Sequence, residues 1–169
     1  MTAIIEKEFL SQLEVHKGIL YKVSRMYMDT EEDREDLRQE IIIQLWKSYN
    51  NFKRESEFST WMYRVCINTA ITYFKKEKKK SDTLVITGEA PEAASAAYDG
   101  TKDQQMEQFY KAVQQLKPVE KALVFYFLEG QSHKQIGDNL GISEVNARVK
   151  LNRTKEKLQN IIKANGYEF

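Results

Sequence analysis

The sequence predicts an all-α protein built as two small helical domains joined by a flexible acidic linker. Seven glycines and two prolines among 169 residues are too few for a chain that must turn at every strand end. Apolar side chains recur at spacings of three and four residues over most of the chain, the pattern of one-sided helices. Charge divides the chain more sharply than its formal net of +1 indicates. Residues 1–80 hold 15 basic and 13 acidic side chains, residues 81–103 one basic and five acidic, and residues 104–169 ten basic and seven acidic. The middle stretch is rich in small residues and lacks helical period, so it reads as the linker between domains 1–80 and 104–169.

In the first domain, one helix spans about Ile4 to Met28, with Phe9, Leu13, Ile19, Leu20, Val23, Met26 and Tyr27 at helical spacing. Thr30-Glu-Glu-Asp33 resembles a capping box: a hydroxyl for an orphan amide, and carboxylates favoured by the helix dipole. The helix it opens carries Leu37, Ile41 and Leu45 on one stripe, with Ile42 and Trp46 beside it. Residues 49–56 read as a polar loop. A third helix starts near Ser56–Ser59 and runs to about Lys79; its apolar row is Phe58, Met62, Val65 and Thr69, flanked by Trp61 and Cys66.

The second domain opens with a short helix over Met106, Phe109, Val113 and Leu116. Pro118 suits the first turn of the next helix, where its missing N–H is harmless, and Gly130 suits its end. Leu123, Val124, Phe127 and Leu128 form that helix's expected core face. Ser132-His-Lys-Gln135 is a second capping-box pattern, opening a short helix to Leu140. Gly141 supplies the turn, and Ser143 caps a final helix running to about Lys163. A short helix, a glycine turn and a basic helix make a helix-turn-helix.

Several function classes drop out. Cys66 is the single cysteine, and its place in an apolar row predicts a buried, inert thiol rather than a nucleophile. His16 and His133 fall in no metal-ligand spacing, and there is no glycine-rich phosphate loop. No run approaches the roughly 18 apolar residues of a membrane span, and Glu6 arrives before any signal-peptide apolar stretch. The expectation is a cytoplasmic protein that is not an enzyme, with no cofactor, metal, small-molecule substrate or membrane insertion.

Three surfaces carry chemistry. On the last helix, Asn146, Arg148, Lys150, Asn152, Arg153 and Lys155 cover much of the circumference, leaving Val145, Val149, Leu151 and Leu158 available for packing. A helix about 10–12 Å across fits a major groove about 12 Å wide. Arg and Lys then reach guanine edges or phosphates, and Asn pairs with adenine. The preceding capped helix and glycine turn favour this reading over a merely solvated helix. In the third helix Trp61, Tyr63, Tyr73 and Phe74 interleave with Arg64, Asn68, Lys75 and Lys76. Rings that stack bases and cations that neutralise phosphates suit single-stranded nucleic acid. Core aromatics beside lysines at a helix end fit the same pattern equally well. On the second helix, Asp36, Gln39, Glu40 and Ile43 share a neighbourhood beside Trp46, either a dock for a basic partner or a solvated face.

At these residues the sequence resembles the sigma factors of bacterial RNA polymerase, in the small extracytoplasmic-function group. Glu35-Asp-Leu-Arg-Gln-Glu40 with Leu45-Trp46 looks like the family's polymerase-docking helix. Phe58-Ser-Thr-Trp-Met-Tyr-Arg-Val65 with Asn68-Thr-Ala70 looks like its promoter −10 segment. Glu129 to Ile136, Leu140 to Ser143, and Arg148, Arg153, Lys157 and Leu158 look like its −35 helix-turn-helix. The resemblance covers both domains but not the linker.

It implies a subunit that joins core RNA polymerase, recognises −10 and −35 promoter DNA and helps open the duplex. Asp36, Gln39, Glu40 and Trp46 would face the polymerase. Phe52 and its loop would hold a flipped base of the −10 strand, with Asn68 near a second. Trp61, Tyr63, Arg64, Lys75 and Lys76 would support or contact that single strand. Asn146, Arg148, Val149, Lys150, Asn152 and Arg153 would meet the double-stranded −35 element. Val149 stands where many relatives carry Ser, Asn152 where a bulky residue is common, and Lys134 and Gln135 where acids are frequent; these departures bear on which −35 sequence is read. An anti-sigma partner is typical of the group. The alternative is a dimeric helix-turn-helix regulator at an operator, which leaves the Glu35–Asn68 string unused. An all-helical adaptor without nucleic acid leaves the basic last helix unexplained.

Overall fold

A computed structural model describes residues 2–83 and 101–166, with side chains over 2–79 and 104–166. Every regular element among these residues is an α-helix, and the chain divides into two compact units, Met1–Lys80 and Ser81–Phe169. Of the expected linker 81–103, residues 81–83 continue the helix begun at Phe58 and residues 101–103 open the next helix. Residues 84–100 lie outside the described residues.

The first unit contains α1 (Thr2–Val15), α2 (Lys17–Tyr27), α3 (Glu31–Tyr49) and α4 (Phe58–Thr83). The single helix expected from Ile4 to Met28 is broken at His16, whose φ of −108° and ψ of 15° leave helical geometry. The His16 ring stacks on Phe58 of α4 at 5.6 Å, and Gly18, a poor helix former, lies two residues on. On α2, Ile19, Leu20, Val23, Met26 and Tyr27 are buried. With Leu37, Ile41 and Leu45 of α3 and Met62, Cys66, Ile67 and Ala70 of α4, all fully buried, they make up the core of this unit. The α4 core row therefore runs 58, 62, 66, 70, and the expected Val65 and Thr69 are only half-buried beside it. Burial pushes the Cys66 thiol well above its ordinary value, so it is not a thiolate. Thr30 caps α3 as expected, its hydroxyl accepting from the Asp33 amide at 3.1 Å. Arg38 joins α3 to α2 by donating to Ser24 Oγ at 3.2 Å and lying 4.6 Å over the Tyr21 ring.

The second unit contains α5 (Thr101–Val113), α6 (Pro118–Leu128), α7 (His133–Leu140) and α8 (Glu144–Ala164). Six consecutive residues of α6, Lys121 to Tyr126, are buried, so this helix is enclosed over its middle rather than one-sided. Phe127 and Leu128, expected in the core, are 43% and 57% exposed, because they lie at the end of the enclosed turns. The Phe127 ring lies 3.7 Å beneath the Lys155 ammonium of α8. Met106 of α5 is likewise exposed, while Ala112, Val113 and Leu116 are buried. Lys121 is buried but solvated internally, donating to Gln114 Oε1 at 3.1 Å.

Two glycines shape the turn between α7 and α8. Gly141 adopts φ of 73°, the left-handed region that favours glycine. Gly137 lies so close to the turn that a β-carbon would stand 2.7 Å from the Ile142 carbonyl oxygen. Ser132 and Gln135 close a reciprocal capping box, with bonds of 3.1 and 2.8 Å, and Ser143 accepts from the Asn146 amide at 3.1 Å. The buried stripe of α8 is Ala147, Leu151, Thr154, Leu158 and Ile162. Val145 and Val149, expected to be available for packing, turn outward instead, because both fall opposite that stripe.

Candidate nucleic-acid interfaces

Most of the sequence-predicted residues of the first unit fall on three surfaces. On α3, Asp36, Gln39, Ile43 and Trp46 recur at spacings of three and four and are all exposed, so they form one face. Glu40 sits at its edge, half-buried, its carboxylate accepting from Gln44 Nε2 at 3.0 Å. Trp46 is 39% exposed, because its ring also packs on Phe9 of α1 at 5.1 Å. The face thus combines carboxylate, amide and aromatic surface on a helix whose other side is a well-filled core.

The second patch is an aromatic cluster at the loop between α3 and α4. Phe52 lies 5.0 Å from Trp61, 6.0 Å from Phe58 and 6.3 Å from Tyr49. Tyr49, expected in the loop, is the last residue of α3 and is buried, with its ring 5.1 Å from Phe9 and 6.1 Å from Trp61. Burial pushes the Tyr49 phenol up, helped by the Glu8 carboxylate and opposed by Arg54. Trp61 is therefore as much a packing residue as a surface one. Glu8, Tyr49 and Phe58 hold this loop and were not singled out as site residues. Contacts between α1 and a loop more than forty residues on have no local signal in the sequence.

The third patch runs along α4. Arg64, Asn68 and Lys75 are exposed and, at about 100° per residue, point to one side. Tyr63 lies about 100° round from Arg64 and is half-buried, so it does not join them. Lys76 turns toward α3, where Glu40, Gln44, Asn68, Thr72, Tyr73 and Lys76 line an open groove. Burial and then the carboxylates of Glu77, Asp36, Asp33 and Glu40 push the Tyr73 phenol up, so this groove is acidic on its α3 side.

In the second unit the exposed side of α8 gathers Asn146, Arg148, Val149, Lys150, Asn152 and Arg153. The helix is pinned behind them by the Ser143 cap, by Gly137 and by an ion pair at 2.9 Å between Lys157 and Glu120 of α6. An anchored, capped helix with a cationic and amide face meets the geometric demand of a major-groove reader.

Both units carry stretches that match known family models. Residues 13–80 match the family model of Sigma-70 region 2, and residues 106–158 match that of Sigma-70, region 4. The chain belongs to the sigma-70 family. Several of the relatives it resembles are ECF RNA polymerase sigma factors. The ECF RNA polymerase sigma factor SigG of Mycobacterium tuberculosis is 26% identical over 76% of this chain and 42% of its own length. The ECF RNA polymerase sigma factor SigE of Mycolicibacterium smegmatis is 23% identical over 87% of this chain and 58% of its own length. The chain thus spans less than two thirds of these mycobacterial relatives. The sigma factor RpoE of Bartonella quintana, solved in complex with the anti-sigma factor NepR, shares the fold with a TM-score of 0.68. That likeness covers 93% of this chain and 98% of RpoE at 20% identity. The sigma-70 region 2 match takes in the α3 face, the aromatic loop and the α4 patch; the region 4 match takes in the helix-turn-helix.

Proposed function

We propose that this chain is a promoter-specificity subunit that joins core RNA polymerase, recognises −10 and −35 promoter elements and helps open the duplex. The observation that carries this reading is the succession of a region 2 match at residues 13–80 and a region 4 match at 106–158 in one chain. In this reading the domain 1–80 docks and melts, the domain 104–169 reads the −35 duplex, and residues 81–103 join them.

Asp36, Gln39, Glu40 and Trp46 bind the polymerase, supported by the exposed face that Asp36, Gln39 and Trp46 share on α3, with Glu40 at its edge. Phe52, Trp61, Arg64, Asn68 and Lys75 engage the unpaired −10 strand, with Tyr63 and Lys76 supporting it from the flanks. Extracting a base costs a few kcal/mol of stacking, which aromatic contacts and phosphate neutralisation offset. Asn146, Arg148, Val149, Lys150, Asn152 and Arg153 contact the −35 duplex. No step is a chemical reaction of this chain, which acts by binding and strand separation in the cytoplasm. An anti-sigma protein is the proposed regulator, since RpoE was solved with one. No helix among the described residues is long and apolar enough to cross a membrane.

A dimeric operator-binding regulator accounts for the helix-turn-helix but leaves the region 2 match without a role. Run-off transcription with core polymerase separates the two readings. A promoter-dependent transcript that requires this chain supports the sigma-factor reading; duplex binding without any transcript supports the regulator.

A further inference from the structure

The outward side of α8 carries two apolar side chains among its charged and amide residues, outside the core. Its buried stripe is Ala147, Leu151, Thr154, Leu158 and Ile162. At about 100° per residue, Val145 and Val149 fall at the centre of the opposite side. They are 59% and 39% exposed. A single exposed valine is ordinary. Two of them one turn apart, in the first two turns after the Ser143 cap, are surrounded by exposed Asn146, Arg148, Lys150, Asn152 and Arg153. Every neighbour can hydrogen-bond; these two present only methyl groups.

A major groove offers one apolar partner to such a side chain, the C5-methyl of thymine. We infer that Val145 and Val149 are specificity-determining residues that each pack on a thymine methyl group in the duplex that α8 reads. This inference rests on the proposed reading of the second unit as a duplex-DNA binder. Four helical residues advance about 6 Å, and successive bases on one strand are about 3.4 Å apart. The two thymine methyls therefore lie roughly two base steps apart along the groove. Valine in a helix has one dominant rotamer, so its ordering at the base edge loses little entropy. The neighbouring Asn146 and Asn152 have the donor and acceptor pair that adenine presents in the same A·T pairs.

The test uses the full chain, alone and joined to core polymerase, to select bound duplexes from a random pool. Each thymine of the selected element is then replaced by deoxyuridine, which keeps the base pair and the O4 acceptor and loses only the methyl. At two positions the replacement should weaken binding about fourfold, the value of one buried methyl-sized group, and elsewhere it should have no effect. Val145→Ala and Val149→Ala should each erase the sensitivity at one of those positions and leave it at the other. Circular dichroism melting should be unchanged in both, since neither side chain is in the core. A selected element with no deoxyuridine-sensitive position overturns the inference while leaving duplex reading intact. So does sensitivity that persists in the double alanine variant. If neither form of the protein enriches any duplex, the reading of α8 as a DNA-contacting helix fails, and the valine assignment with it.

Discussion

Glu8 of α1 holds Arg54 in the loop after α3, with carboxylate and guanidinium 2.7 Å apart. Arg54 is the one non-glycine residue with positive φ among the described residues, at 59°. A left-handed arginine costs roughly 1–2 kcal/mol of local strain, so the loop carrying Phe52 keeps its shape only while its surroundings hold it. Phe9, beside Glu8, packs on Trp46 and Tyr49 and makes α1 part of that hold. Glu8→Gln should lower global stability by less than about 1 kcal/mol, since the ion pair is exposed. It should nonetheless slow promoter opening several-fold by freeing the loop. Chemical denaturation and a strand-opening assay on the same variant check both halves; unchanged opening would detach α1 from the loop's role.

The close approach at Gly137 gives a sharper structural prediction. A β-carbon there meets the Ile142 carbonyl oxygen at 2.7 Å and Ser143 backbone atoms at 3.2 Å, none of which can rotate away. Gly137→Ala should destabilise the second unit by about 1–3 kcal/mol, the usual cost of overpacking. Because α8 must tilt to relieve the contact, duplex affinity should fall more than stability alone accounts for. Melting and duplex titration at a temperature where the variant is folded separate the two effects.

Acid should loosen the second unit through Glu120. Burial raises its carboxyl, but the Lys117 amide at 2.8 Å and the Lys157 ammonium at 2.9 Å outweigh this and hold it below the ordinary value. A carboxyl depressed in the folded state contributes stability above its unfolded pKa and loses it as pH falls through the folded value. Melts of the native chain and Glu120→Gln should differ at pH 7, and the difference should vanish only as pH falls from the ordinary carboxylate range through the lower folded value. A constant difference down to strongly acid pH would show that the charge contributes nothing.

On α3, Asp36→Asn combined with Gln39→Ala neutralises the Asp36 carboxylate and truncates Gln39 without touching Leu37 or Ile41. Binding to core polymerase should weaken by at least tenfold, read by co-elution or interferometry. Duplex binding by the second unit within the full chain should not change. Undiminished core binding would remove this face from the polymerase interface.

The residues legible in the sequence are those whose role depends on near neighbours. Thr30, Ser132 and Ser143 each cap a helix through an amide three residues away, so the pattern alone identifies them. Leu37, Ile41 and Leu45 repeat at one turn and are buried as expected. The break at His16 was not legible, because it is fixed by a ring 42 residues further along. The exposure of Phe127 and Leu128 was not legible either: they continue an apolar run, and only the reach of the surrounding helices ends their burial. Likewise, helical period alone placed Val149 with packing residues, whereas the resemblance placed it on the DNA side. Its exposure contradicts the first.

In the proposed function the first unit holds polymerase and unpaired promoter bases together. A promoter duplex carrying 2-aminopurine in its −10 element, mixed with core polymerase and this chain, reports base unstacking as a rise in fluorescence. The rise should need both proteins and be lost when Phe52 and Asn68 are replaced by alanine. Fluorescence that stays at the level of closed duplex while the chain is bound to core would contradict it.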